Sequence, residues 1–150
     1  MRIDLPDVNV LIALHFEDHI HHGEALTWFQ EGNRFATTAL TEAGFVRVSM
    51  NPAVTAEPFS PAEALEALRR LRNHSRSVFW ADDTSLAQSD LTARVLIGYQ
   101  QVTDLQLLNL AASRQGQLVT FDAKIQAPLR ASERNFVRVL PAPPAPHSTH

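Results

Sequence analysis

The sequence predicts an α/β domain of three layers, α/β/α, in which helices cover both faces of a short-stranded central parallel sheet. Three observations carry that expectation. Short apolar runs alternate with longer segments of helical period from one end of the chain to the other, which calls for parallel strands joined by right-handed crossovers. At 150 residues, 45% of them apolar, the chain makes one domain with enough apolar side chains to bury a core. Acids recur just after the apolar runs, at the carboxyl ends of strands, where open α/β sheets place their ligands.

Composition removes several mechanisms. With no cysteine there is neither a disulfide framework nor a thiolate metal site, which fits a reducing interior and a cytoplasmic location. No apolar run approaches the ~20 residues that span a bilayer, and the first residues lack a signal-peptide pattern, so no membrane association is expected. A net charge of −3 argues mildly against indiscriminate binding to polyanions, unless a basic patch or bound cations intervene.

Taken in order, Arg2 to Pro6 reads as the first strand, with Asp7 where it ends, and Val8 to Phe16 as a buried first helix. His19 to Glu31 is an amphipathic helix whose apolar face is Ala25, Leu26, Trp28 and Phe29, stopped by Gly32-Asn33. Arg34 to Thr37 is the second strand and Ala39 to Met50 the third helix, ended by Asn51-Pro52; Glu42 lies one turn before Phe45 and Val46 on an inward stripe. After a loop, Pro61 opens a helix that runs over Ala62 to Arg72, with Leu65, Leu68 and Leu71 inward. Ser77 to Trp80 is a strand, Asp82-Asp83-Thr84 a turn, and Ser85 to Tyr99 one or two helices. The stretch TDLQLLNLAASRQGQLVTFD then reads as a helix capped by Thr103 and closed by Gly116, followed directly by a strand over Gln117 to Phe121 and by Asp122. Asp104 shares a helical stripe with Leu107, Leu108 and Ala111, an odd place for a charge, since desolvating it alone costs several kcal/mol. Phe136 to Leu140 is the last strand. Residues 1–140 form the domain, and 141–150 a proline-rich disordered tail.

Asp7, Glu42, Asp104 and Asp122 thus converge on one rim. Four acids without cysteine make an oxygen-rich site of the kind that suits Mg²⁺ or Mn²⁺. The blocks LPDVNVLIAL, TTALTEAGFVRV, TDLQLLNLAA and LVTFD resemble, in order and spacing, the four motif blocks of the PIN-domain nucleases. Within that family the chain is most similar to the VapC-like toxins of type II toxin-antitoxin modules. His19-x-x-His22 with Ala25 and Trp28 also resembles the block after the first helix in one large actinobacterial-type branch. The resemblance covers roughly Ile3 to Val139; one departure, Pro6 directly before Asp7, leaves the acid in place.

The resemblance implies a PIN-like fold and a Mg²⁺- or Mn²⁺-dependent endoribonuclease acting on structured RNA, tRNA or ribosomal RNA, with a VapB-like antitoxin as partner. Asp7, Glu42, Asp104 and Asp122 match its catalytic quartet. Asp7 and Asp104, with Asp122, match its metal ligands, and Asn9 and Thr120 its supporting polar positions. Arg47, in the FVRV block, is a candidate contact for RNA or antitoxin.

Ordinary uses compete with each assignment. Asp7 alone is a good N-cap and Asp104 a good first-turn acid, and only the four acids together outweigh that reading. Asp82, Asp83 and Asp90 read as turn and cap residues. His19, His21 and His22 read as a polar helix start rather than a metal cluster. Arg69, Arg70, Arg72, His74 and Arg76 are either a phosphate-steering surface or a solvated helix face. Leu11, Leu14, Trp28 and Phe29 suggest surplus apolar surface and a homodimer. Two other functions are open: a catalytically silent PIN-like module that binds RNA or protein, and an aspartyl-phosphate domain, which the lack of a second acid in Asp7-Val8-Asn9 disfavours.

Overall fold

The computed structural model describes residues 2–88 and 102–143. Five parallel strands, β1 (Asp4–Pro6), β2 (Phe35–Thr37), β3 (Ser77–Phe79), β4 (Gln117–Thr120) and β5 (Val137–Val139), form one sheet in the order β3-β2-β1-β4-β5. Register runs straight across it: Asp4 pairs with Phe35 on one side and Gln117 on the other, and Thr37 pairs with Phe79. The helices are α1 (Val8–His15), α2 (His22–Gln30), α3 (Ala39–Ser49), α4 (Pro61–Asn73) and α5 (Val102–Ser113). The sheet is three to four residues deep, so anything at its carboxyl rim lies close to its amino end as well.

The core splits into two layers, as the period-two alternation of each strand requires. On one face Leu5, Ala36, Trp80 and Leu118 pack against Leu105, Leu107, Leu108, Leu110 and Ala111 of α5. On the other Val119 and Phe35 meet α1, Phe45 of α3, Trp28 of α2 and Leu71 of α4. Burying side chains of this size is worth about 1.5–3 kcal/mol each, and α5 alone contributes five buried positions.

Local signals explain most boundaries. Asp7 caps α1 by accepting the Val10 N–H at 2.9 Å. Thr38 and Thr41 form a reciprocal capping box on α3, as do Ser60 and Glu63 on α4, where Pro61 occupies the first turn. Gly32 (φ 85°) ends α2 in the left-handed conformation that glycine permits.

Several expectations are corrected. α2 begins at His22, not His19, because residues 16–21 form a linking turn in which the His21 N–H donates to His19 Nδ1. Thr103 is not a cap: it is the second residue of α5, which already starts at Val102. Gly116 does not provide the left-handed stop either. Gln115 does (φ 55°), while the Gly116 N–H closes the turn onto the Ala111 carbonyl at 2.9 Å. Gly116 is needed for space, since a Cβ there would stand 2.6 Å from the Ile3 carbonyl oxygen and 2.7 Å from Trp80 Cη2. On α4 the inward stripe is Ala64, Ala67, Leu68 and Leu71, and Leu65 points outward; on α2 Leu26 is likewise exposed. Residues 81–85 are irregular rather than a turn, and Asp82 and Asp83 tether the segment to α5 through Gln106 and Arg114.

Leu11 and Trp28 are buried within the monomer, and Leu14 and Phe29 are half-covered, so these four are not a surplus apolar surface. Of the segment from Ser85 to Tyr99, Ser85 and a 3-10 turn at Leu86–Gln88 are described; residues 89–99, with Asp90, lie outside the described residues, as does 144–150 of the expected tail. No helix among the described residues is long and apolar enough to cross a membrane.

Candidate functional site

The carboxyl rim of the sheet gathers Asp7 after β1, Glu42 in the first turn of α3, Asp104 in the first turn of α5, and Asp122 after β4. Thr120 is the joint between two of them. Its hydroxyl donates to Asp7 Oδ2 at 2.6 Å and accepts the Asp122 N–H at 3.1 Å. Asp7 is buried, 4% exposed, with its other oxygen on the Val10 N–H, so both carboxylate oxygens have a partner.

Burial is the main cause of a pKa for Asp7 pushed up to about 6; the Thr120 hydroxyl and the Val10 N–H oppose that rise, and the charge of Asp104 adds to it. Asp104 is half-buried and its carboxyl is also raised, first by burial and then by Asp122. The charge of Asp122 thus reaches Asp104, and that of Asp104 reaches Asp7. Asp122 itself is exposed and caps a short 3-10 helix by accepting the Lys124 N–H at 3.0 Å.

Glu42 is held separately. It accepts the Thr37 hydroxyl at 2.7 Å and faces Arg72 Nη1 at 3.3 Å on the same oxygen. The strand next to β1 carries Thr37, which puts Glu42 on the same rim; the geometry ties it to β2 and α4 rather than to the three aspartates.

Like charges crowded in partly buried oxygen ligands are the setting that a divalent cation relieves, and the donor set, oxygen only, suits a hard ion. Asp7, Asp104 and Asp122 are the residues able to hold one. As the side chains stand, no three acidic or histidine groups among the described residues are drawn together tightly enough to clamp an ion.

The remaining candidates separate. The Asn9 side chain is exposed on α1, and the residue meets Asp7 through its backbone N–H. Arg47 is exposed on the last turn of α3. The histidines do not gather as a metal cluster: His21 stacks on Phe121 at 4.2 Å with its Nδ1 buried and unpaired among the described residues, and His22 Nδ1 lies 2.7 Å from the Ala13 carbonyl oxygen. The basic stretch is no uniform surface. Arg69 and Arg70 pair with Glu66, Arg76 donates to the Asn33 carbonyl, and only Arg72 reaches the acids.

Thr37 was not singled out by sequence, though its place at the end of β2, five residues before Glu42, signals it. Arg72 was named only within the basic stretch; which of those cations reaches the acids depends on how α4 packs on α3. Asp4 was also missed. It is buried at the opposite end of β1, where Trp28 Nε1, Gln117 Nε2 and Asn33 Nδ2 donate to it, a satisfied structural network.

Comparison with known proteins agrees with this architecture. Residues 5–128 match the PIN domain family. Ribonuclease VapC38 of Mycobacterium tuberculosis (strain ATCC 25618 / H37Rv) is 46% identical over 123 residues, covering 81% of this chain and 86% of the relative. Ribonuclease VapC39 (strain CDC 1551 / Oshkosh) is 42% identical over 124 residues, 81% of this chain and 89% of the relative. Ribonuclease VapC44 of the same strain is 40% identical over 124 residues, with 81% and 87% covered. With the sheet order, the acidic rim and a match that runs from β1 past Asp122, the chain belongs to the PIN-domain family and, within it, to the VapC-like members.

Proposed function

We propose that this protein is the toxin of a VapBC-like toxin-antitoxin pair, an endoribonuclease that hydrolyses phosphodiester bonds in structured RNA, tRNA or ribosomal RNA, with Mg²⁺ or Mn²⁺. One observation carries the reading: Asp7, Asp104 and Asp122 come from three different elements to a single rim, where Asp7 and Asp104 are partly or wholly buried and the charge of Asp122 acts on Asp104 and that of Asp104 on Asp7. Asp7, Asp104 and Asp122 are the residues that would hold a divalent cation, which would supply activation of a water and neutralisation of charge on the phosphodiester. The Thr120 hydroxyl fixes the rotamer of Asp7 and the backbone of Asp122, so that two ligands keep one spacing. Glu42, oriented by Thr37 and Arg72, faces the substrate from the β2 side and orients the attacking water or takes its proton. Asn9 supports the site, and Arg47 contacts RNA or antitoxin. A VapB-like antitoxin covers the rim in the cytoplasm; with Leu11, Leu14, Trp28 and Phe29 packed within the monomer, a homodimer is carried only by its being the commonest assembly, and sedimentation showing a monomer that forms no antitoxin complex counts against it.

The catalytically silent module draws on one observation, the lack of a ready-made ion clamp among the described residues. Both readings meet in one experiment. Purified protein and Asp104→Asn, free of antitoxin, are incubated with total tRNA or ribosomal RNA in Mg²⁺, Mn²⁺ or EDTA. Discrete cuts that need metal and fall about a hundredfold or more in Asp104→Asn, the scale of losing several kcal/mol of charge stabilisation, are expected. No cutting of either RNA favours the silent module, and an active Asp104→Asn sinks the proposed site.

A further inference from the structure

The carboxyl rim does not end at the acids. On the far side of Glu42, β3 closes the sheet with Phe79, paired in register with Thr37. Phe79 is 42% exposed, an apolar ring facing solvent at the end of a strand whose next residue, Trp80, is buried. The Arg72 guanidinium lies over that ring, 4.6 Å from its centroid, while Nη1 faces Glu42. A guanidinium has five N–H donors, and the contact with Glu42 occupies one nitrogen of the planar fork. With a side chain 44% exposed, Arg72 offers the remaining donors to solvent. The exposed part of Phe79 is, by construction, the part that Arg72 does not cover.

Monomer stability gains little from this arrangement beyond the orienting of Glu42: with the arginine exposed, the ion pair and the cation–π contact are each worth little, and the uncovered part of the ring adds little to the core. Its position does have a consequence for a polyanionic chain. Strands lie about 4.8 Å apart, so β3 stands about 10 Å from β1 and Asp7, with Glu42 between them. The guanidinium covers one face of the Phe79 ring, and the exposed remainder of the ring together with the free donors of Arg72 matches the two halves of one nucleotide: apolar aromatic surface for the base and donors for the phosphate.

We propose that Arg72 and Phe79 form a nucleotide-binding subsite at the β3 edge, in which Phe79 stacks an unpaired base of the RNA and Arg72 grips its phosphate. The subsite rests on the reading of the protein as acting on RNA, and it adds where the strand lies and in what form. Stacking on an exposed ring requires a base splayed out of a helix, so the subsite selects a loop, bulge or single-stranded end rather than a duplex. Arg72 then has two partners: Glu42, and the phosphate next to it.

The test is binding, read apart from cutting. A fluorescein-labelled unstructured oligoribonucleotide is titrated with the full chain in EDTA, by anisotropy across a salt series, alongside Arg72→Ala, Phe79→Ala, Phe79→Tyr and Arg69→Ala, each first checked for a native melting curve. Phe79→Ala is expected to weaken binding about tenfold with the salt slope unchanged, because stacking is not ionic. Phe79→Tyr is expected to bind within about twofold of the natural protein, since the ring is retained. Arg72→Ala is expected to weaken binding about tenfold and to lower the salt slope by about 0.7, one phosphate contact on a single strand. Arg69→Ala, one turn earlier and paired with Glu66, is expected to change little.

Phe79→Ala binding like the natural protein, or Arg72→Ala reducing cleavage with affinity and slope intact, overturns the subsite. So does Arg69→Ala matching Arg72→Ala. If the pattern appears but nothing is cut with Mg²⁺ or Mn²⁺, the subsite stands and the nuclease reading falls. If RNA is cut yet Phe79→Ala binds normally, the nuclease reading stands and the subsite falls. If the natural protein binds no oligoribonucleotide, the subsite falls, and the nuclease reading is decided by the cutting assay alone.

Discussion

Asp7 combines two duties that pull in opposite directions. As an N-cap and an acceptor for Thr120 it is well bonded, yet burial lifts its pKa to about 6 against an unfolded value of 3.8. Below about pH 4 the group is protonated in both states and its burial costs little. As the pH rises through 6 the folded state must bury a charge or hold a proton that the unfolded chain has already released, so stability falls. Asp7→Asn keeps a cap oxygen and removes that charge. In EDTA at pH 8 the variant is expected to be more stable than the natural protein by about 3 kcal/mol at most, the difference closing toward pH 4. Melting curves across that range test it; a less stable variant at pH 8 would mean that the carboxylate, even ionised, is compensated by its hydrogen bonds. The sequence marked Asp7 as an acid at a strand's end, but not its burial or its bond to Thr120, because these depend on residues 113 positions apart.

At the scale of an element, the end of α5 shows where sequence signals mislead. Gly116 looks like a helix stop, yet the left-handed residue is Gln115, and Gly116 is present because β1 and Trp80 come within 2.7 Å of where a Cβ would be. The two positions should respond with opposite sign. Gln115→Gly removes the cost of a side chain in the left-handed region and is expected to stabilise by about 1 kcal/mol. Gly116→Ala forces the new Cβ against the Ile3 carbonyl oxygen and the Trp80 ring and is expected to cost about 1–3 kcal/mol. Chemical denaturation of both variants decides it; equal effects of one sign would contradict the assignment. Helix α4 teaches the same lesson differently: Leu65 fits an i, i+3 apolar count yet points to solvent, since Ala64, Ala67, Leu68 and Leu71 pack more closely against α3.

For the whole molecule, the acidic rim is a place where folding and ion binding are linked. Carboxylates that repel one another in the folded state lose that penalty when a cation joins them, so any ion bound there stabilises the fold by mass action. Addition of Mn²⁺ or Mg²⁺ at pH 7 is expected to raise the melting temperature, by the equivalent of about 2.7 kcal/mol at a hundred times the dissociation constant, and the rise should largely disappear in Asp104→Asn. A shift that survives in Asp104→Asn would place the ion elsewhere. This test reads the site without any RNA, so it separates a wrong substrate from a wrong site.

The sequence by itself determined the class of fold, the alternation of strands and helices, and the positions of Asp7 and Asp122 after strands and of Glu42 and Asp104 in first helical turns, because strand and helix periods and residue order are local properties of the chain. It also carried the family, through the order and spacing of its motif blocks. Only the tertiary structure decided that Thr120 couples Asp7 to Asp122, that Asp104 feels Asp122, that Arg72 alone of its basic stretch reaches Glu42, and that Phe79 stays open beside it. Each of these depends on distances between elements far apart in sequence, and such distances arise from packing helices on both faces of one sheet.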